Sequence, residues 1–334
     1  MPVITRFVVV TPWTGSGRRS GNRAQRRFGG RRAGLEHICP PGGDFSRGGT
    51  LSWMPLPPSP MIGTCGFAYP EWRGRFYPPE LGPPGWLRFY AESFTALELD
   101  GTFYRPPAPA VVAGWADQLP ERFALAAKVP RTITHELRLA GDEAVAMLHA
   151  FAGLLAPLGD RLFAVLLQLP PSLTAAEGAR RLERLLASRP AWLPIVVEVR
   201  HRSWYEDWLP ELLEREEAGL ARVEKAGGPG WSRPVPMEWT GPVRYGRLLG
   251  DREELPEIGR KVRDLSPALD RWAAVAGAEA AQGRDVAIFV NNRYEGAGFV
   301  TAAELRRRAG QPVPDPRELW PAPPLPGLEL DELE

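Results

Sequence analysis

The acids Glu98 and Asp100 in ALELDGTFY (residues 96–104) alternate with leucines, which on a strand turns both carboxylates to one face and Leu97 and Leu99 to the other. The same pattern, a polar group closing a short apolar run, recurs along the chain. It gives Lys128 in AAKVP, Gln168 in LLQLPP, Glu198, Arg200 and His201 in VEVRHRSW, Glu224 and Lys225 in ARVEK, Arg247 and Asp251 in VRYGRLLGD, and Asn291 and Asn292 in FVNN. Gathered into one ring, the cations Lys128, Arg131, His135, Arg200, His201 and Arg247 outnumber Glu98, Asp100 and Glu198. Such a ring is expected to bind phosphate or carboxylate, for which arginine offers a bidentate fork. Glu198 and His201 are the expected proton carriers, and Lys128 is expected to serve as base or electrostatic clamp. Glu98, Asp100, Tyr104, His135, Gln168, Arg200, Arg247, Asn291 and Asn292 make up the expected substrate-binding set. The aromatics Phe67, Tyr69, Trp72, Phe103, Tyr104 and Trp204 lie beside the same run ends, either to wall a sugar or base or to plug the top of a barrel.

Composition sharpens two of these positions. The chain uses 38 arginines but only three lysines and three asparagines. One of the lysines, Lys128, and two of the asparagines, Asn291 and Asn292, close apolar runs. An arginine can stand in for a solvated charge, but not for a compact ammonium with a tunable pKa. Adjacent strand residues face opposite sides, so only one of Asn291 and Asn292 should enter the ring directly.

The elements that would hold this ring alternate from residue 62 onward. Short runs of Val, Ile, Leu and Ala, the mark of strands covered on both faces by helices, take turns with amphipathic segments. Eight such units in about 250 residues are the size of a (β/α)₈ TIM barrel, an α/β fold whose active sites lie at the carboxyl ends of the strands. The stretch GGPGWSRPVPMEWTG (residues 227–241) is rich in proline and glycine, so the sixth strand is expected to reach the seventh through a loop in place of a full helix. A doubly wound open sheet is disfavoured because GTCGFAYPEW, after the first strand, lacks the phosphate-turn spacing. At strand five, the phase that turns Glu198 and Arg200 inward packs Val197 and Val199 against helices and points His201 toward them. Arg247 is expected to clamp an anion, with Gly250 leaving room for backbone amides; the alternative is an internal ion pair with Glu198 or Glu98.

With 334 residues, 44% hydrophobic and 24% charged, the chain can bury a large core. Residues 1–60 hold nine arginines against Glu36 and Asp44, with ten glycines and eight prolines, and read as a disordered basic extension. It is either a nucleic-acid arm or, as the lack of apolar periodicity favours, a stretch upstream of a natural start at Met61. The barrel is expected over 61–310 and a proline-rich acidic tail over 311–334. Residues 61–334 carry 32 basic and 38 acidic side chains, which argues against a surface that tracks nucleic acid. No apolar stretch is long enough for a membrane span or a signal-peptide core, so a cytoplasmic protein is expected. Two cysteines and four histidines fit neither a disulfide framework nor a multi-zinc centre. No cofactor is expected, and Mg²⁺ on Glu98, Asp100 and Glu198 is the one metal the residue types allow.

GTCGFAYPEWRGRFYP, YAESFTALELDGTFYRPP, KVPRTITHELRL, LLQLPPS, VEVRHRSWY and FVNNRYEGAGFVTA resemble, in order from residue 61 to about 310, the motifs of the YecE-like family, domain of unknown function 72. The resemblance implies a TIM barrel and leaves the activity open. Asp100 and Gly101 stand where the family commonly has Asn-Ser, and Leu249 where many members have histidine, while Arg247 is retained. The functional expectation is an enzyme doing hydrolysis or other acid/base chemistry on a small anionic or sugar-like substrate. A nucleic-acid binding protein or a non-catalytic scaffold are the alternatives.

Overall fold

The computed structural model describes residues 59–226 and 239–320. Eight parallel strands close into a barrel in sequence order: β1 (Met61–Cys65), β2 (Ala96–Leu99), β3 (Ala124–Lys128), β4 (Leu162–Gln168), β5 (Ile195–Glu198), β6 (Gly219–Lys225), β7 (Val243–Leu249) and β8 (Asp285–Val290). β8 returns to β1 through Met61–Ala287 to Thr64–Val290 pairing. Around them lie α1 (Pro83–Ser93), the single turn α2 (Gly101–Tyr104), α3 (Pro109–Gln118), α4 (Gly141–Leu155), α5 (Ala175–Ala187), α6 (Trp208–Arg215), α7 (Ser266–Ala281) and α8 (Gly298–Arg308). No helix among the described residues is long and apolar enough to cross a membrane.

The period-two pattern sorts the strands into two cores. Cys65, Ala96, Ala124, Ala126, Leu166, Val196, Tyr245, Ala287 and Phe289 fill the barrel, small residues alternating with large ones. Ile62, Leu97, Leu99, Leu125, Val165, Val197, Val199, Ile288 and Val290 face the helices instead. A bulge between Leu125 and Ala126 against β4 lets the neighbours Phe163 and Ala164 both join the inner core. Gly63 in β1 is required by close approach: a Cβ there would lie 1.6 Å from the Ala96 carbonyl oxygen and 2.8 Å from the Tyr90 hydroxyl. That hydroxyl bridges β1 and β2, accepting from Thr64 N and donating to Ala96 O, both at 2.8 Å.

After β1 the chain packs Trp72, Phe76 and Tyr77 with Trp86, Phe89, Tyr90, Phe94 and Phe299 into one buried aromatic cluster between α1 and α8. At the end where the strands begin, Arg306 of α8 is buried. It donates to the carbonyl of Ser93, to Gln311 Oε1 at 2.9 Å and to Pro312 O at 3.0 Å. Residues 311–320 are thereby held on the barrel, and Trp320 Nε1 donates to Phe76 O at 3.2 Å. The expectations for residues 1–58, for the tail beyond Trp320, and for the loop across 227–238 lie outside the described residues.

Candidate functional site

Two tiers of polar side chains stand at the carboxyl ends of the strands, one strand repeat apart. The floor tier holds Glu98 of β2, Glu198 of β5, and Tyr245 and Arg247 of β7, all nearly inaccessible to solvent. Arg247 donates Nε to Glu98 Oε2 (2.8 Å), Nη2 to Glu98 Oε1 (2.6 Å) and Nη1 to Glu198 Oε2. The Tyr245 hydroxyl donates to Glu98 Oε2 at 2.6 Å. Glu198 Oε1 accepts from Gln168 Nε2 at 2.9 Å and from Arg200 Nε at 2.7 Å. Burial alone would raise the Glu198 carboxyl, but the charges of Arg247 and Arg200 more than offset it and hold it at about 2. Burial would likewise lower the Arg247 guanidinium, yet Glu98 and Glu198 push it well above its ordinary value. Burial and then the adjacent Glu98 carboxylate raise both Tyr245 and Cys65, so both stay neutral.

Two residues further along, the rim tier is looser. Asp100 is 34% exposed at its side chain, and Lys128 Nζ reaches its Oδ1 at only 3.4 Å. The ammonium lies 4.6 Å over the Phe103 ring. Thr102 fixes this corner by donating its hydroxyl to the Lys128 carbonyl at 2.7 Å, tying the turn after β2 to the end of β3. Arg200 spends Nε on Glu198, and its two terminal nitrogens have no partner among the described residues. His135 sits in a π-helical turn, Thr132–Glu136, just after β3, with its ring edge-on to Phe103 at 5.0 Å. Its Nδ1 pairs with Thr134 Oγ1 at 2.8 Å, leaving Nε2 free of partners among the described residues. Burial first, then the charges of Arg200 and Lys128, lower its pKa below the ordinary 6.5, so the imidazole is neutral at pH 7.

Several expected site residues are placed elsewhere. His201 turns out of the mouth, where its Nδ1 accepts from Ser203 N at 3.2 Å and caps a short 3₁₀ turn. Glu198, held ionised by its partners, is a poor proton carrier at neutral pH. Asn292 follows the outward parity of Ile288 and Val290, and its Oδ1 accepts from Trp72 Nε1 (3.2 Å) and from the first amide of α8 at Gly298 (2.8 Å). Asn291 takes the inward phase and is half-buried, with Oδ1 accepting from Arg293 N at 2.9 Å. Lys225 pairs with Asp251 at 2.7 Å, Arg131 with Glu136 at 3.2 Å, and Glu224 faces outward to Trp272 Nε1 and Tyr294. Gly250 leaves no room for a ligand, because a Cβ there would meet the Arg293 carbonyl at 1.7 Å. Trp72 and Trp204 are core residues, whereas Phe67, Phe103 and Tyr104 keep exposed surface. The excess of cations expected for the ring shrinks to a balance: Arg131 pairs with Glu136, His201 turns away and His135 is neutral, which leaves Lys128, Arg200 and Arg247 against Glu98, Asp100 and Glu198. Tyr245 was missed, although it precedes Arg247 by two residues and so shares its face.

A divalent cation would meet a crowded site. Ligand atoms of Cys65, Glu98 and Asp100 lie within 4.8 Å of one another. Both oxygens of Glu98 already accept from Arg247, and one also from Tyr245. A Mg²⁺ on Glu98, Asp100 and Glu198 would have to displace the Arg247 fork from two acids.

A closed parallel α/β barrel with a two-tier polar mouth is the class that fold and site define. The chain belongs to the family described as "Protein of unknown function DUF72", whose model matches residues 61–325. It is similar to the UPF0759 protein YunF of Bacillus subtilis (strain 168), at 28% identity over 133 residues, 39% of this chain and 47% of that protein. The aligned stretch thus spans about half the length of that relative. Among solved structures, a DUF72 family protein from Thermotoga maritima MSB8 superposes with TM-score 0.64 at 25% identity, covering 76% of this chain and all of the other. One from Enterococcus faecalis V583 superposes at 0.61 with 21% identity, covering 79% and 98%.

Proposed function

We propose that this chain is an enzyme that takes a small anionic substrate at the carboxyl ends of the strands and works on it by proton transfer, hydrolysis included. The observation that carries this reading is the set of unspent groups on the rim. Among the described residues, Lys128 holds one long contact and Arg200 two nitrogens without partners, next to a neutral His135 with an open Nε2. An anion between Lys128 and Arg200 would gain charge-assisted hydrogen bonds without breaking the floor tier. His135 is the proton acceptor in this scheme, because a neutral imidazole beside two cations is available as a base at neutral pH. The negative balance of residues 61–334 favours a small ligand over a nucleic acid, and a cytoplasmic location is part of the same proposal.

The test is the thermal midpoint of the full chain in phosphate or sulfate at constant ionic strength. A rise in the wild type that is lost in Arg200→Ala and in Lys128→Ala supports the reading. An equal rise in all three proteins overturns it, and so does filter-retained single-stranded DNA whose affinity falls steeply with salt.

A further inference from the structure

The rim offers acceptors as well as cations. Asp100 Oδ2 on the rim, the Oε1 of Gln168, which is buried beside Glu198 in the floor, and the amide donor Asn291 Nδ2 have no partner among the described residues. A ligand that is only an anion would use Lys128 and Arg200 and be repelled by Asp100. A polyhydroxylated ring uses both kinds of group, since each hydroxyl donates one hydrogen bond and accepts others.

A second observation points the same way. Tyr104 is 74% exposed, in the turn of α2 that directly follows the Asp100 corner. Its ring stands 5.1 Å from Phe103, the ring that Lys128 and His135 also contact. Among the described residues the other highly exposed aromatic, Trp192, precedes β5 and so belongs to the amino ends of the strands. An aromatic so exposed gains little from the core, and beside hydroxyl-binding groups it presents a surface suited to the C–H face of a sugar ring.

We infer that the mouth takes a sugar or related polyol bearing a phosphate or carboxylate. The anion lies between Lys128 and Arg200, ring hydroxyls meet Asp100, and the apolar face of the ring covers Tyr104. This rests on the anion-binding reading above and adds the substrate class to it.

Calorimetric titration of the full chain tests it, with inorganic phosphate, ribose 5-phosphate, glucose 6-phosphate, fructose 6-phosphate, glucuronate and phenyl phosphate as probes. At least one sugar anion is expected to bind about tenfold more tightly than inorganic phosphate. Tyr104→Ala and Asp100→Ala should each remove that margin while inorganic phosphate still binds, and Arg200→Ala should weaken every probe. Sugar anions that bind no better than phosphate, or a margin that survives Tyr104→Ala, overturn the inference and leave the anion-binding reading standing. Phenyl phosphate gaining as much through Tyr104 as the sugars also overturns it, because the site would then read a planar ring. If no anion binds at all, both readings fall together.

Discussion

Glu98 and Asp100 share one strand face, two residues apart, yet they sit in opposite circumstances. Glu98 is sealed beneath the mouth, with both oxygens satisfied by Arg247 and Tyr245. Asp100 is one-third exposed and holds Lys128 only at 3.4 Å. The same contrast divides Glu198, buried under three donors, from Arg200, two of whose three guanidinium nitrogens have no partner among the described residues. A step of two residues along a strand, about 6.6 Å, separates charges that hold the barrel together from charges available to a ligand. Strand-end position alone is therefore too coarse a guide to chemistry in this fold; the tier decides.

The sharpest way to break that distinction is to remove Arg247. Arg247→Ala strands two buried acids and should destabilise the protein by about 3–5 kcal/mol, measured by urea unfolding. A loss under about 1 kcal/mol would mean that the floor is not the structural tier. Next comes acid. The folded Glu198 carboxyl titrates at about 2, below its ordinary 4.5, so its contribution is fully present above pH 4.5 and is lost as pH falls toward 2. That contribution is on the order of 3 kcal/mol, and Glu198→Gln should flatten the acid limb of stability against pH. The rim should behave in the opposite sense. Asp100→Asn frees Lys128 and should tighten phosphate binding by about fivefold, close to 1 kcal/mol, with little change in urea midpoint; a large stability loss would place Asp100 in the floor. The smallest effect concerns His135. Activity requiring its neutral form should fall only at pH below 6.5, and Arg200→Ala should shift that limb upward, because one charge lowering the pKa is gone.

The barrel was legible in the sequence because strands covered on both faces read as unbroken apolar runs, and because period two places Glu98, Lys128, Gln168, Glu198 and Arg247 on inward faces once the strand ends are found. Pairing was not legible. Which acid takes which cation depends on contacts across the lumen between residues 98, 198 and 247, and no local pattern encodes them. Rarity flagged Asn291 and Asn292 together, but only backbone phase shows that Asn292 caps α8 while Asn291 faces the mouth. Gly250 misled for a related reason: a glycine required by a neighbouring carbonyl looks the same in sequence as one required by a ligand. His135 escaped a base role because its availability comes from the π-helical turn and from Arg200, a cation brought in from the end of β5, neither of which its own segment announces.

Arg306 carries a consequence for how fast the molecule opens. Its guanidinium joins the end of α1 to residues 311 and 312, contacts that span up to 213 positions along the chain. Links so distant in sequence close late, after the entropy of the long intervening loop has been lost, and are expected to be absent from the folding transition state. Cutting this link with Arg306→Met should therefore leave the refolding rate nearly untouched and shorten the lifetime of the folded barrel. The seam between the last helix and the first acts as a latch on the time the protein stays folded.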